Sequence, residues 1–241
     1  MRLAVRIQTK GTRERWTDIL LELLELEIYS KKLDMSIQII QDNNLWKSCK
    51  KSLLSTDQGD THVLVLQDDV LPCADFVETA LHIAQLLPND PVTFFSNSES
   101  ISHALQNNIH WATLKVWFMA QSYMMPVAIA KDLVEWVDEY CKPDMTHDDD
   151  RMATYMWYHS QKVYATAPSL VEHIGWNATT LKTYQPQFTF EPRLRMARSY
   201  IGFENSAKKI DWKATLEKAI TDNEGSNSQF CSNLRKAYSS G

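Results

Sequence analysis

Two adjacent carboxylates, Asp68 and Asp69, directly follow an apolar run within VLVLQDDVLP, residues 63 to 72. Neighbouring negative charges at the end of a buried strand repel each other unless a cation lies between them. Two interpretations are open at this point. The pair is either an ordinary strand end that meets water and turns at Pro72, or a pair of oxygen donors for a divalent metal ion.

A second acidic group, formed by Asp148, Asp149 and Asp150, stands immediately before a segment with helical spacing of its apolar residues. A carboxylate at a helix start caps backbone N–H groups and complements the helix dipole. Capping explains one or two of these acids, and the repulsion of the third by its neighbours is left without a compensating interaction. Because crowded carboxyl groups raise one another's pKa, the triplet also fits a general base.

A histidine, His173, follows an apolar stretch in APSLVEHIG, residues 167 to 175. It is either a buried imidazole bonded to a carbonyl or a metal ligand, and carboxylates together with one imidazole suit Mn²⁺. The chain has only six glycines and contains neither GxxxxGK[ST] nor GxGxxG. A nucleotide bound here would therefore need another way to neutralise its phosphates, and a divalent cation held by carboxylates would supply it.

The elements that must position these residues alternate between strands and helices. Strands are predicted at 3–9, 35–41, 63–67 and 91–96, with helices at 16–29, 45–55 and 75–87. This alternation predicts an α/β fold with a mostly parallel sheet flanked by helices. Ligands of such sheets bind beyond the carboxyl ends of the strands, so the polar residues 9–13, 42–44 and 68–69 are expected along one edge.

The rest of the chain carries weaker patterns. Residues 110–130 resemble strands and turns, 132–141 a helix, and the acidic triplet opens another helix. A strand is expected from 162 to 167, a short extended piece from 169 to 175, and an amphipathic helix from 212 to 220. The predicted division is a catalytic domain over 1–178 and a helical and loop extension over 179–241.

The order of these motifs resembles the GT-A (Rossmann-like) fold of nucleotide-sugar glycosyltransferases over residues 1 to about 178. VLVLQDDVLP resembles the LEDD form of the family's DxD motif, HDDDRMA its later acidic pair, and APSLVEHIG its final histidine motif. One position departs from the family pattern, because Gln67 stands where LEDD has its first acid. A glutamine still bonds a ribose hydroxyl, but it brings no charge to a metal.

The resemblance implies a transferase that uses Mn²⁺ or Mg²⁺ and a nucleoside-diphosphate sugar, with UDP as the expected carrier. It assigns Asp69 and His173 to the metal and Asp149, then Asp150, to the base. Further donor-binding candidates are Thr9, Arg13, Asp42, Gln67 and Asp68, and Asp148 is expected near the acceptor. Thr9, Arg13 and Asp42 fit exposed turn residues equally well.

A basic and aromatic segment follows the last motif. Residues 179–213 hold seven basic and three acidic side chains, a balance of +4 in a chain of net charge −5, which leaves −9 elsewhere. Basic and aromatic side chains suit a nucleic-acid acceptor, with Lys182, Arg193 and Arg195 as contacts. A small transferase of this kind resembles the phage-encoded enzymes that add sugars to hydroxymethylated pyrimidines in DNA, and the resemblance implies such a base, flipped out of the helix, as the acceptor. A solvated basic face over core aromatics is the structural alternative.

Other functions stay open. A related transferase would act on a surface glycan or lipopolysaccharide, with the basic segment against a membrane. A sugar nucleotidyltransferase needs a glycine-rich phosphate loop, which Gly11 alone does not provide. A non-catalytic nucleic-acid-binding protein on the same scaffold would leave both acidic motifs unexplained. No apolar run reaches the roughly 20 residues of a membrane span, so a cytoplasmic protein is expected (host cytoplasm if phage-encoded); the oligomeric state is not predicted.

Overall fold

A computed structural model describes residues 1–114, 120–142, 145, 147–174 and 196–221. The strands are β1 Leu3–Thr9, β2 Ser36–Gln41, β3 His62–Gln67, β4 Val70–Pro72, β5 Val92–Thr93, β6 Trp111–Leu114, β7 Ser122–Pro126, β8 Val163–Thr166, β9 Val171–His173 and β10 Ile220–Thr221. The helices are α1 Glu14–Lys31, α2 Leu45–Leu54, α3 Phe76–Leu86, α4 Glu99–Gln106, α5 Val127–Tyr140 and α6 Asp148–Tyr158.

Eight of these strands form one mixed sheet in the order β10-β6-β8-β5-β7-β3-β1-β2. Four neighbouring pairs are parallel and three are antiparallel, because β7 runs against both β3 and β5, and β6 runs against β8. The remaining strands, β4 and β9, form a separate antiparallel pair. The α/β fold with a mostly parallel sheet flanked by helices is thus confirmed.

Helices cover both faces of the sheet, and each face has its own apolar core. On one face α2, α4, α5 and α6 pack around the buried Cys49, Leu133 and Met152. On the other face α1 and α3 pack with Leu24 and Phe76, and Trp212 from the end of the described chain joins them. Because β3 is covered on both sides, its residues 63–66 form a continuous apolar run rather than an alternating one, whereas β1 is buried along its length although it includes Arg6 and Gln8.

Some predicted elements were wrong. Apolar spacing predicted a helix over 212–220, but this stretch holds a 3₁₀ turn, Leu216–Lys218, followed by β10. Tertiary packing outweighs helical propensity here, since Trp212 is buried and Ile220 pairs with Ala112 at the sheet edge. The helix expected over 132–141 begins earlier, at Val127 after Pro126, and α4 had no predicted counterpart.

The described part of the basic segment packs on the sheet. Trp111 Nε1 donates a hydrogen bond to the backbone oxygen of Trp212 at 2.7 Å, and the two rings lie 5.3 Å apart edge to face. The predicted domain boundary at 178 falls outside the described residues and stays a prediction. In the described ranges no helix is both long and apolar enough to cross a bilayer.

Candidate active site

A polar pocket lies at the carboxyl ends of β1 and β3. These strands run parallel, and the ladder continues one step beyond β3, where Asp68 N–H donates to the Gln8 carbonyl at 3.0 Å. The chain therefore leaves the sheet at Asp68 and Asp69 with both carboxyl groups beside the loop that follows β1. Both residues are buried and line the pocket.

The cation between the two carboxylates is Arg13. Its Nη1 donates to Asp68 Oδ1 at 2.9 Å and also bonds Asp69 Oδ2. Arg13 stands at the N-cap of α1, where its carbonyl accepts from the N–H groups of Trp16 and Thr17 at 3.0 Å each. The backbone of Arg13 is therefore fixed by the helix start, while its side chain extends to the acidic pair.

The small sheet of β4 and β9 brings His173 to the same place. Val70 pairs with His173, and Ile174 N–H donates to the Asp69 carbonyl at 2.9 Å. As a result His173 Nε2 lies 3.2 Å from Asp69 Oδ2, although the two residues are 104 positions apart in the chain. The imidazole is buried and packs edge to face against Phe95.

The loop after β1 is ordered by Thr9. Its hydroxyl donates to Asp68 Oδ2 at 2.6 Å and accepts from Gly11 N–H at 3.0 Å. Gly11 has a φ of +74°, in the left-handed region that side chains disfavour. This turn carries Lys10 and Arg13 along the pocket wall.

The acidic triplet forms the first turn of α6. His147 occupies the N-cap without a capping hydrogen bond from its side chain, while Asp148 Oδ1 accepts from Asp149 N–H at 3.1 Å. Asp149 Oδ1 in turn accepts from Asp150 N–H at 3.0 Å. His147, Asp148 and Asp149 line the pocket, whereas Asp150 is not among its lining residues.

The carboxyl groups of the pocket have opposite electrostatic surroundings. Burial alone would raise the pKa of Asp69, but the hydrogen bond and charge of His173, together with Arg13, outweigh it and lower that pKa. Burial raises the pKa of Asp68 despite Thr9 and Arg13. Burial and the charges of Asp148 and Asp150 raise the pKa of Asp149 well above its ordinary value. Asp69 is thus held as a carboxylate, while Asp149 has a high affinity for a proton.

Burial is also the largest influence on the other two acids of the triplet. It raises the pKa of Asp148 against the opposing hydrogen bonds from backbone N–H groups. It raises the pKa of Asp150 against the opposing charge of His147. All three members of the triplet therefore hold protons more tightly than an exposed aspartate does.

Two further donor-binding candidates line the same pocket. Gln67 ends β3, and Asp42 follows β2. Both Asp42 oxygens have partners, since Asn44 N–H donates to Oδ1 at 2.9 Å and Lys51 to Oδ2 at 2.6 Å. The hydrogen bond from Lys51 is the main reason that the pKa of Asp42 is lowered. Of the two side chains, Asp42 is the more firmly held.

Sequence reasoning missed several lining residues, namely Gln8, Lys10, Leu45, Ser48, Gln121 and His147. Two of them could have been predicted from the sequence, because Lys10 belongs to the polar loop after β1 and His147 adjoins the acidic triplet. No sequence pattern indicated that Gln121 would line the pocket. It precedes the reversed strand β7, and its backbone oxygen accepts from Gln67 N–H at 2.9 Å, so the antiparallel course of β7 brings it to the pocket.

The predicted acceptor contacts Lys182, Arg193 and Arg195 lie outside the described residues. Two cations from the described end of the basic segment are paired with the body of the protein. Arg198 bonds Glu99, and Lys208 Nζ lies 2.8 Å from Glu78 Oε1.

The residues that would hold a metal fit that purpose in part. Asp69 Oδ1 is buried and has no hydrogen-bond partner in the part of the chain that the structure describes, and the neighbouring imidazole of His173 is a suitable second donor. Across the described ranges, however, no three His, Cys, Asp or Glu side chains are grouped as a metal site. The protein donors alone would leave several coordination positions to water or a bound phosphate.

No protein-family model and no curated protein matches the chain. Solved structures with partial similarity include S. aureus TarS 1–349, at 13% identity and a TM-score of 0.47 over 69% of this chain, which spans 58% of that fragment. A mutant of Drosophila β1,4-galactosyltransferase 7 in complex with manganese, UDP-Gal and xylobiose has 8% identity and a TM-score of 0.47, covering 88% and 98% of the two chains. A 4-diphosphocytidyl-2C-methyl-D-erythritol synthase from Anaerococcus prevotii has 14% identity and a TM-score of 0.42, covering 70% and 88%.

Proposed function

We propose that this protein transfers a sugar from a nucleoside-diphosphate sugar, with UDP as the expected carrier, to an acceptor hydroxyl group. The observation that carries the proposal is the pairing of Asp69 and Asp149 in one pocket with pKa values moved in opposite directions. Environments that separate the pKa values of two acids assign them different tasks. Asp69 suits charge binding and Asp149 suits proton transfer.

The donor side of the pocket is the edge formed by the ends of β1 and β3. Lys10 and Arg13 are cations that line it, and a guanidinium bonds phosphate oxygens in a bidentate manner. Gln67 and Asp42 line the same edge and offer acceptors for ribose hydroxyl groups or a base N–H. These contacts support a nucleotide with its diphosphate near the acidic pair.

The acceptor side is the start of α6. In the proposed reaction the acceptor oxygen attacks the anomeric carbon and its proton passes to Asp149. The bond from that carbon to the diphosphate breaks, and the nucleoside diphosphate leaves with the electron pair. A base with a raised pKa suits this step at neutral pH, and Asp150 is the second candidate. Asp148, buried beside Asp149, would contact the acceptor or hold the helix start.

A divalent ion, Mn²⁺ or Mg²⁺, belongs to this proposal, with Asp69 and His173 as its protein ligands. When bound, such an ion stabilises negative charge on a leaving diphosphate. The unpartnered Oδ1 of Asp69 and the oxygen and nitrogen donors of the pair support this assignment. The dependence of activity on metal is the direct measurement of it.

The acceptor is the least constrained part of the proposal. A hydroxymethylated pyrimidine in DNA is favoured by the basic and aromatic composition of residues 179–204 alone. The pairing of Arg198 with Glu99 and of Lys208 with Glu78 removes two cations from a continuous basic surface. A surface glycan or lipopolysaccharide acceptor is therefore tested beside DNA.

The test is a thermal-shift panel of UDP, GDP, CDP, ADP and their sugars, each with and without Mn²⁺. A ligand that binds only the folded state increases the free energy of unfolding, by about 2.7 kcal/mol when its concentration is one hundred times its Kd, and therefore raises Tm. We expect one nucleotide family to raise Tm when Mn²⁺ is present, and its sugar form to be hydrolysed or transferred. If no nucleotide binds while DNA does, the protein is a nucleic-acid-binding protein on a transferase-like scaffold.

A further inference from the structure

A single side chain, Arg13, occupies the oxygen atoms that the proposed metal would use. Its Nη1 contacts Asp68 Oδ1 and Asp69 Oδ2 together, and Asp69 Oδ2 also meets His173 Nε2 at 3.2 Å. Among the described residues, the remaining oxygen of Asp69, Oδ1, has no hydrogen-bond partner. A metal ion bound to Asp69 in this arrangement would lie close to a full positive charge.

A metal ion at Asp69 would be repelled strongly by Arg13, because both groups lie inside the protein. The Asp69 side chain is 4% exposed, and the Arg13 side chain is 15% exposed. Because water screens such charges poorly, repulsion between a guanidinium and a divalent ion is stronger here than at the surface. The Arg13 side chain is the more exposed of the two and lines the pocket, where a bound ligand would meet it.

The charges that line the pocket indicate which kind of ligand could bind beside Arg13. The lining contains five carboxyl groups and two cations: Asp42, Asp68, Asp69, Asp148 and Asp149, with Lys10 and Arg13. A diphosphate without a metal ion would be repelled by the excess of carboxylates, and a metal ion without a diphosphate would be repelled by Arg13. A diphosphate together with a metal ion avoids both conflicts, because its oxygens accept the guanidinium while the ion takes its place at Asp69.

We infer that Arg13 and the divalent cation are alternative partners of Asp69, so that the metal binds tightly only when a diphosphate draws Arg13 away. The inference rests on the proposed function and adds a positioning and coupling task for Arg13. Coupling of this kind is reciprocal, so the metal strengthens nucleotide binding by the same factor. In the absence of donor, Arg13 would then offset part of the charge of the acidic pair without a bound metal ion.

The experiment is a titration of the full chain with MnCl₂ alone, in which electron paramagnetic resonance reports free Mn²⁺. Wild type is compared with Arg13→Gln, Arg13→Lys and the matched control Arg15→Gln, which removes an exposed charge two residues away. We expect Arg13→Gln to bind Mn²⁺ about tenfold more tightly than wild type. Arg15→Gln should match wild type, and Arg13→Lys should stay weak because it keeps the charge.

The same titration is then repeated with UDP for wild type and Arg13→Gln, corrected for the Mn²⁺ that UDP binds without protein. Wild type should gain about tenfold or more in Mn²⁺ affinity, and Arg13→Gln should gain much less. Equal Mn²⁺ affinity in wild type and Arg13→Gln, or no gain with UDP in a wild type that binds UDP, overturns the inference. Failure of every nucleotide to bind wild type overturns the proposed function instead, while tighter Mn²⁺ binding by Arg13→Gln would still support competition at Asp69.

Discussion

His173 Nε2 lies 3.2 Å from Asp69 Oδ2, and Arg13 bonds the same oxygen. These partners lower the pKa of Asp69 below its unfolded value near 3.9. A carboxyl group whose folded pKa is lowered stabilises the folded state above the unfolded pKa, and this contribution is lost as pH falls through the folded pKa. The contacts of Asp69 with His173 and Arg13 therefore make the free energy of unfolding decrease at acidic pH.

Asp69→Asn should lower the free energy of unfolding at pH 7 by about 1.5–3 kcal/mol, the range for hydrogen bonds to charged groups. The difference from wild type should shrink as pH falls below about 4, because the unfolded chain takes up this proton first and the folded protein takes it up at a lower pH. Urea unfolding at several pH values measures this. A difference independent of pH would show that packing, not charge, accounts for the loss.

Asp149→Asn should reduce the transfer rate by about 10²–10⁴-fold, the usual contribution of a general base. Donor affinity should change little, because the proposed donor contacts lie at the ends of β1 and β3. Activity assays and calorimetric titration of the nucleotide measure the two quantities. Asp150→Asn separates the two candidate bases: because Asp150 does not line the pocket, its loss of rate should be much smaller than that of Asp149→Asn. Loss of donor affinity in Asp149→Asn would move this residue to the metal site.

The same substitution should stabilise the fold. Burial and two neighbouring carboxylates raise the pKa of Asp149, so the unfolded chain loses this proton at a lower pH than the folded chain does. Stability then falls as pH rises from about 4 toward the raised pKa. Asn does not titrate, so Asp149→Asn should melt about 2 °C or more above wild type at pH 7 and close to it below pH 4. A lower Tm at pH 7 would contradict the proposed crowding.

Gly11→Ala should weaken nucleotide binding without unfolding the protein. The φ of +74° costs a non-glycine residue about 1–2 kcal/mol, and the added Cβ would lie 2.1 Å from Gln41 Nε2. That side chain can turn away, whereas the backbone strain shifts the turn that carries Lys10 and Arg13. Nucleotide titration should show a loss of affinity of about tenfold. Gly59→Ala, at a site with open space and similarly positive φ, controls for strain alone.

Trp212→Ala should destabilise the protein by about 3–5 kcal/mol, as expected for a fully buried aromatic residue. Its ring packs on Trp111, and its backbone oxygen accepts from the indole of that residue. Urea unfolding measures the effect, and Trp16→Ala, at a tryptophan that is 43% exposed, is the control. A small effect would mean that residues 207–221 contribute little to the core.

Local patterns predicted the first half of the fold well. Strands β1, β2 and β3 and helices α1, α2 and α3 agree with the predictions because the strands are rich in β-branched and apolar residues and the helices have a clear helical repeat. Residues 110–130 were harder, since the reversed strand β7 is only five residues long and its register is decided by β3 and β5. The end of the described chain was wrong for a related reason, because Ile220 gains more from pairing with β6 than from a helix.

The site was predicted as a set of residues but not as a set of contacts. The motifs indicated that Asp68, Asp69 and His173 would meet, and β9 brings His173 to Asp69. No pattern predicted that Arg13 would bridge both carboxylates, because this contact depends on the angle at which α1 begins. Sequence alone therefore suggested a metal ion as the cation for the acidic pair, where the structure has a guanidinium.

The position of Arg13 in the chain has a consequence for biosynthesis. Arg13 is made 55 residues before Asp68, whereas His173 is made 104 residues after Asp69. Because synthesis proceeds from the N-terminus, β1, α1 and β3 are complete before the C-terminal part of the protein is translated. The cation that partners Asp68 and Asp69 is therefore already present in the nascent chain before His173 has been made.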